Sequence, residues 1–266
     1  MNIDHDIAAR AKAGQPLAGQ ELDHLAAVDV LSLGMLADEV RRLRVGDTVT
    51  YSRDAETRLA TLPAMLADAA TAVRRAKAAR GGELVGYSLA DVIDRNWGAL
   101  ADVLQQLKAA GLDAIAEAPV DRITDLVGAL RTAHATGVPV KVLSLQRPLP
   151  GSRTAYLLQV REIVTQLPWI HAVAPLPREQ SIAVPTTGYD DVRAVALARL
   201  ALPSVRNIQV DWTQYGPKLA QVALTFGAND LDRVSTVDDE TLGRRRTSVE
   251  DVRRNITAAG FTPAER

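Results

Sequence analysis

Cysteine is absent from all 266 residues. The chain can therefore form no disulfide, offer no nucleophilic thiol and hold no iron–sulfur cluster through thiolates. It also lacks an excess of either charge, since 31 Lys and Arg stand against 32 Asp and Glu for a formal net charge of −1. That balance creates no global field to draw in a polyanion, which argues against nucleic acid as a partner. The basic stretches 41–44 and 244–246 are short and flanked by acids, so each reads as a solvated helix face or loop. No apolar run approaches the roughly 18 residues of a membrane span. The opening M-N-I-D-H-D-I-A carries acids where a secretory signal would carry lysines. A cytoplasmic location, with neither membrane nor nucleic acid as partner, is the expectation. The four histidines, at positions 5, 24, 134 and 171, show no metal-ligand spacing, and no metal is expected.

What is present is an ordinary globular composition, 47% hydrophobic and 24% charged. Residues 1–46 predict an N-terminal helical segment, with helices over 6–13, 18–27 and 31–44. Leu33, Leu36, Val40 and Leu43 would share one face and pack on something larger. From 47 to 235 short β-branched or apolar runs alternate with helical stretches, as in a parallel sheet built of βα units. Strands are expected at 48–51, 83–87, 114–116, 140–145, 170–174, 208–211 and 231–234. Helices fall between them, at about 62–80, 91–110, 121–136, 153–167, 189–202 and 215–226. The fold class is α/β, an incomplete or compact (β/α) TIM-like barrel, with a doubly wound open sheet as the alternative. Residues 236–266 read as a charged connection followed by a last helix near 249–259.

Six blocks then occur in a telling order: L-S-L-G-M-L-A-D-E-V-R-R-L-R-V-G-D-T-V-T-Y (31–51), L-K-A-A-G-L-D (107–113), L-R-T-A-H-A-T-G-V (130–138), T-G-Y-D-D-V-R-A-V-A-L-A-R-L (187–200), W-T-Q-Y-G-P-K-L-A-Q-V-A-L (212–224) and F-G-A-N-D-L-D-R-V (226–234). Together they resemble the radical S-adenosylmethionine enzymes of the futalosine route to menaquinone, namely aminofutalosine synthase and the dehypoxanthine futalosine cyclase. The deazaflavin-forming synthases are their cousins. The T-G-Y-D-D and F-G-A-N-D-L-D blocks look closer to the synthase than to the cyclase. The resemblance implies a radical-SAM-type barrel, a four-iron cluster and bound S-adenosylmethionine.

This chain departs from the family where that chemistry would sit. In place of the family's C-x-x-x-C-x-x-C loop it reads S-R-D-A-E-T-R-L-A-T-L-P (52–63), with no soft ligand. One helix then leads directly to G-E-L-V-G-Y-S-L-A-D-V (82–92), so a whole βα step is missing. The family's P-G-G-G-A-E turn is replaced by A-I-A-E-A-P (114–119), whose side chains would fill the space that glycines leave for a cofactor. Glu117 alone could correspond to that motif's acid. The family's G-H-x-E-T gives way to Q-R-P-L-P-G-S (146–152), which removes a histidine and a glutamate. Cluster and S-adenosylmethionine sites are thus expected to be lost.

The residues left as pocket candidates are Glu117, His171, Asp211, Trp212, Asn229, Asp230 and Asp232. His171 either points into a barrel mouth or is simply packed. Asp211 and Trp212 close a strand, at the end where barrel sites lie. There they would meet a polar or ring-bearing ligand, or else cap the helix beginning near Pro217 and seal the core. Asn229, Asp230 and Asp232 suit a residual pocket or plain turn chemistry. His134, near a helix end, and Tyr189, Asp190 and Asp191, which open a helix, read as structural.

Two functions fit. One is a non-catalytic partner or regulatory subunit, a homodimer or a heteromer with a cysteine-containing paralogue, in menaquinone biosynthesis. The other is a cluster-free enzyme or binder of a nucleoside-like or chorismate-derived molecule in the same pathway.

Overall fold

The structure, a computed structural model, describes residues 3–53, 58–80, 82–149, 151–179, 181, 185–235 and 249–266. In chain order the helices α1 (His5–Lys12), α2 (Gly19–Ala27) and α3 (Val30–Val45) precede β1 (Thr48–Tyr51). Then come α4 (Leu66–Arg80), β2 (Val85–Ser88), α5 (Leu89–Asp94), α6 (Leu100–Ala109), β3 (Ala114–Pro119), α7 (Leu126–Ala135) and β4 (Val140–Leu145). The remainder is α8 (Arg153–Gln166), β5 (Ala172–Pro177), α9 (Gly188–Ala201), β6 (Asn207–Asp211), α10 (Trp212–Leu224), β7 (Asp230–Asp232), α11 (Val249–Ala258) and β8 (Thr262–Glu265).

The chain forms two compact units, one of Met1–Glu56 with Arg147–Arg266 and one of Thr57–Gln146. In the first, five parallel strands run in the order β5-β6-β7-β1-β8. Helices α1 to α3 are fastened to α8 and α9 of this unit. Arg161 donates to the Leu17 carbonyl at 2.6 Å, and Arg193 donates to those of Ala26 and Val28 at 2.7 and 2.6 Å. Asp29 caps α3 by accepting from the Ser32 amide at 2.9 Å, and Thr187 and Asp190 form a capping box on α9. Arg199 of α9 is fully buried. It donates to the Gly227 and Arg206 carbonyls at 2.8 and 3.2 Å and to Asn229 Oδ1 at 2.6 Å, so oxygens of this chain satisfy its planar fork.

The second unit carries β2-β3-β4, again parallel, with α4 to α7. Lys77 Nζ and the Leu84 amide both donate to Asp113 Oδ2 at 2.6 Å, pinning α4 beside the sheet.

Most expected elements are present, with informative differences. The single helix expected over 91–110 is two, because Asn96 and Gly98 take positive φ values of 49° and 135° between α5 and α6. Strand β3 continues three residues past the expected 116, to Pro119. Strand β8 was not anticipated in the C-terminal stretch. It pairs with β1 in the register Val49↔Pro263, and a proline that cannot donate is tolerated in it because β8 lies at the edge. The charged connection falls largely at 236–248, outside the described residues.

The reading of 41–44 as solvated is corrected at Arg41, which is fully buried. Its guanidinium lies 4.0 Å from the Phe261 ring centroid and bonds Asp38 at 3.2 Å and the Gly46 carbonyl at 2.9 Å. Leu43, expected on the buried face of α3, is 63% exposed. At 3.6 residues per turn it falls just beyond the arc that buries Leu33, Leu36 and Val40.

Candidate functional site

Side chains alternate between the two faces of a strand, so Gln209 and Asp211 of β6 share a face, as do Asp230 and Asp232 of β7. Register then aligns them in rows. Gln209 and Thr50 are both partners of Asp230, and Asp211 lies opposite Asp232. All four of the β6 and β7 side chains are buried.

The first row is knitted by short bonds to one carboxylate. Thr50 Oγ1 donates to Asp230 Oδ1 at 2.6 Å, and Gln209 Nε2 donates to Asp230 Oδ2 at 2.7 Å. Arg266, immediately after β8, adds a bidentate grip on the same group at 2.9 and 3.1 Å.

The second row sets two carboxylates face to face, which repels unless a cation intervenes. Arg178, one residue past β5, supplies it. Its NH1 lies 3.3 Å from Asp211 Oδ2, and its NH2 lies 3.3 Å from Asp232 Oδ2 and from Gln209 Oε1. Arg233 NH1 approaches Asp211 Oδ2 at 3.4 Å. Ser52, just beyond β1, donates to Asp232 Oδ1 at 3.2 Å. The strand ends thus carry three carboxylates interleaved with three arginines of the same chain.

Asp211 also works locally. Its Oδ1 accepts from the Gln214 amide at 2.9 Å, capping the first turn of α10. It does not cap a helix that starts at Pro217, because α10 begins at Trp212 and kinks. Gly216 holds φ 73° and ψ 167°, a region that side chains exclude, and Pro217 restarts the helix. Trp212 is 0% exposed and sits in the core.

The structure therefore gathers Asp211, Asp230 and Asp232 and places Asn229 and His171 away from them. Asn229 points to the opposite face of β7. Its Oδ1 accepts from Arg199 and from the Ile208 amide at 3.0 Å, and its Nδ2 donates to Asn207 Oδ1 at 3.0 Å. His171 is exposed just before β5, at the other end of that strand from Arg178. Glu117, in the second unit, is buried 3.9 Å from the Arg58 guanidinium. Arg178, Arg233 and Arg266 were not singled out from the sequence. Only the alternation in N-I-Q-V-D and D-L-D pointed toward the cluster they complete.

The chemistry of this donor set does not fit a thiolate-held iron–sulfur cluster. The sequence supplies no thiol, and the residue that follows β1 is Ser52, engaged with Asp232. Among the described residues no group of three His, Cys, Asp or Glu side chains is placed to hold a metal ion. Among the same residues no helix is long and apolar enough to cross a membrane.

Comparison with solved structures shows the fold. Over 97% of its length the chain superimposes on 97% of methylornithine synthase with a TM-score of 0.72 at 16% sequence identity. It also superimposes on 74% of the [FeFe]-hydrogenase maturase HydG, with a TM-score of 0.64 at 12% identity. The fold is thus α/β, of the incomplete or compact (β/α) TIM-like barrel type expected from the sequence.

Residues 161–266 match the family described as the CofH/MqnC C-terminal region. The chain is 32% identical over 205 residues to 5-amino-6-(D-ribitylamino)uracil–L-tyrosine 4-hydroxyphenyl transferase 1 of Methanosarcina barkeri, covering 63% of this chain and 54% of that protein. It is 29% identical to the transferase of Archaeoglobus fulgidus, covering 62% and 57%. These matches span little more than half of either relative. A longer alignment, at 26% identity with the Methanosarcina acetivorans transferase 1, runs over 352 residues and takes in 99% of this chain and 92% of that one. Because 352 exceeds the 266 residues available here, that alignment contains segments this chain lacks.

Proposed function

We propose that this chain is a non-catalytic, radical-SAM-like protein that docks on a cysteine-bearing relative and stabilises or regulates it. One observation carries the reading: every carboxylate of the strand-end cluster is already matched to an arginine of its own chain. Asp211 faces Arg178 and Arg233, Asp230 faces Arg266, and Asp232 faces Arg178. A general acid or base needs a proton to give or take at a reacting atom. Carboxylates held by internal cations serve packing and orientation instead.

A docking surface is available on the same unit. Leu31 and Met35 of α3, Tyr189 of α9 and Val222 of α10 are 69%, 75%, 73% and 45% exposed. A groove of about 550 Å3 runs between these helices over Leu219 and Phe226. Apolar side chains grouped in this way favour a protein partner.

The resemblance drawn from sequence blocks placed the partner in menaquinone biosynthesis. The matching family spans both the CofH and MqnC names, and the curated relatives carry the hydroxyphenyl transferase name. We therefore take such a transferase as the expected partner, and a futalosine-route enzyme as the other outcome of the test. That test is anaerobic affinity capture of the tagged chain from its native lysate, with stoichiometry by mass spectrometry. A cysteine-containing relative should appear in near-equal amount and be lost from the Met35→Glu/Tyr189→Glu variant. A strict monomer that captures no relative would overturn the reading.

A further inference from the structure

A cavity of about 330 Å3 opens beside the C-terminal end of β5, between the first turns of α9 and α10. That volume lies within the range of small-molecule sites. Its walls are apolar rings and a branched chain, from Pro148, Pro177, Pro185 and Leu219, together with the side chain of Tyr215.

Among the described residues, the charged side chains that line this cavity are both acidic. Tyr215 donates its hydroxyl to the Pro177 carbonyl at 2.7 Å, and Gln214 donates its amide to the same oxygen at 2.9 Å. Two potential donors are therefore consumed within the wall. The other polar lining residues are Ser181, Thr186 and two carboxylates: Asp191, only 8% exposed, and Glu179, which Arg147 Nε approaches at 3.6 Å. Asp191 takes a hydrogen bond from Thr186, and among the described residues no ion pair closes it. Arg153 lies close enough to act on it through space, but its NH1 is spent on the Asp190 carbonyl at 2.7 Å. No lysine or arginine lines the cavity among the described residues.

A buried acid facing an unfilled space, with hydrocarbon and one aromatic wall around it, selects a ligand with a cationic donor at one end and a flat apolar body at the other. We propose that this cavity binds a small primary amine carrying an aromatic ring, with the ammonium seated on Asp191. The cavity shares Tyr215 and Leu219 with the exposed groove, whereas Asp191 lines the cavity alone, so amine binding at that carboxylate is tested apart from the partner reading.

The test titrates the full chain with phenethylamine and, in parallel, with phenylacetate, which has a comparable ring but the opposite charge. Calorimetry measures affinity, and the Leu219 methyl resonances report occupancy of the cavity. The amine should bind, shift those resonances and lose at least about tenfold in affinity in Asp191→Asn, the loss expected for a charged hydrogen bond. Leu219→Trp, which fills the cavity and leaves the acid in place, should abolish binding. Equal binding of phenylacetate, no shift at millimolar amine, or an unchanged affinity in Asp191→Asn would each overturn the proposal. Circular dichroism of both variants separates lost binding from lost structure.

Discussion

Asp211 and Asp232 stand directly opposite each other on β6 and β7, both buried, and Arg178 bridges their Oδ2 atoms at 3.3 Å each. Two opposed carboxylates in a poorly solvated layer are tolerable only with that cation between them. Arg178→Met keeps the bulk and removes the charge, so it should cost about 3–5 kcal/mol in chemical denaturation. Adding Asp211→Asn and Asp232→Asn should restore a part of it. An unchanged midpoint in the single variant would show that the pair has another source of compensation.

Gly34 of α3 is in contact with Phe226. A Cβ built at position 34 would lie 2.6 Å from the Phe226 ring, closer than atoms pack. Gly34→Ala should therefore destabilise the unit by about 1–3 kcal/mol, the usual cost of overfilling a packed site. Phe226→Leu in the same chain should recover some of that loss, as a double-mutant cycle would show.

Burial raises the pKa of Asp191 above its ordinary value of 3.8, against the opposing pull of the Thr186 hydrogen bond and of Arg153, while neighbouring Asp190 raises it further. A carboxyl whose folded pKa is raised favours the fold while it is neutral. Its contribution is fully present below about 3.8 and is lost as pH rises through the folded value. Melting temperatures of wild type and Asp191→Asn should converge at low pH and separate above that window, the variant becoming the more stable. Parallel curves would show that Asp191 titrates normally.

Anaerobic reconstitution with iron and sulfide should leave the purified chain without an iron–sulfur chromophore. No cysteine exists to provide thiolates. A cysteine-bearing relative treated alongside should develop one. A stable cluster on this chain would require ligands of another kind and would remove the basis for the non-catalytic reading.

Much of the fold was legible because its pattern is local. The alternation of apolar runs and helical stretches located β1, β4 and α8 to within a residue or so, and glycines and prolines marked the stops. β8 escaped notice because T-P-A-E has neither β-branched density nor alternation. It is a strand only because β1 offers it an edge. Asp211 was legible as a strand-end acid, and Asp230 and Asp232 as acids of a pocket or a turn, whereas their arginines were not. Arg178, Arg233 and Arg266 are separated in sequence and meet the acids only through the parallel register. Asn229 misled for a related reason. Its neighbour Asp230 faces the cluster, and one step along a strand reverses the side chain.

The pairing of β8 with β1 also sets an order of events. Thr57–Gln146 can complete its β2-β3-β4 sheet from contiguous chain. β1 must wait first for β7, whose Asp230 lies 180 residues beyond Thr50, and then for β8. During synthesis the second unit should therefore mature first, while β1 stays unpaired until β7 has emerged. Until α8 and α9 have followed, the apolar faces of α2 and α3 have no helices to pack on, which is when a chaperone would have the most to bind.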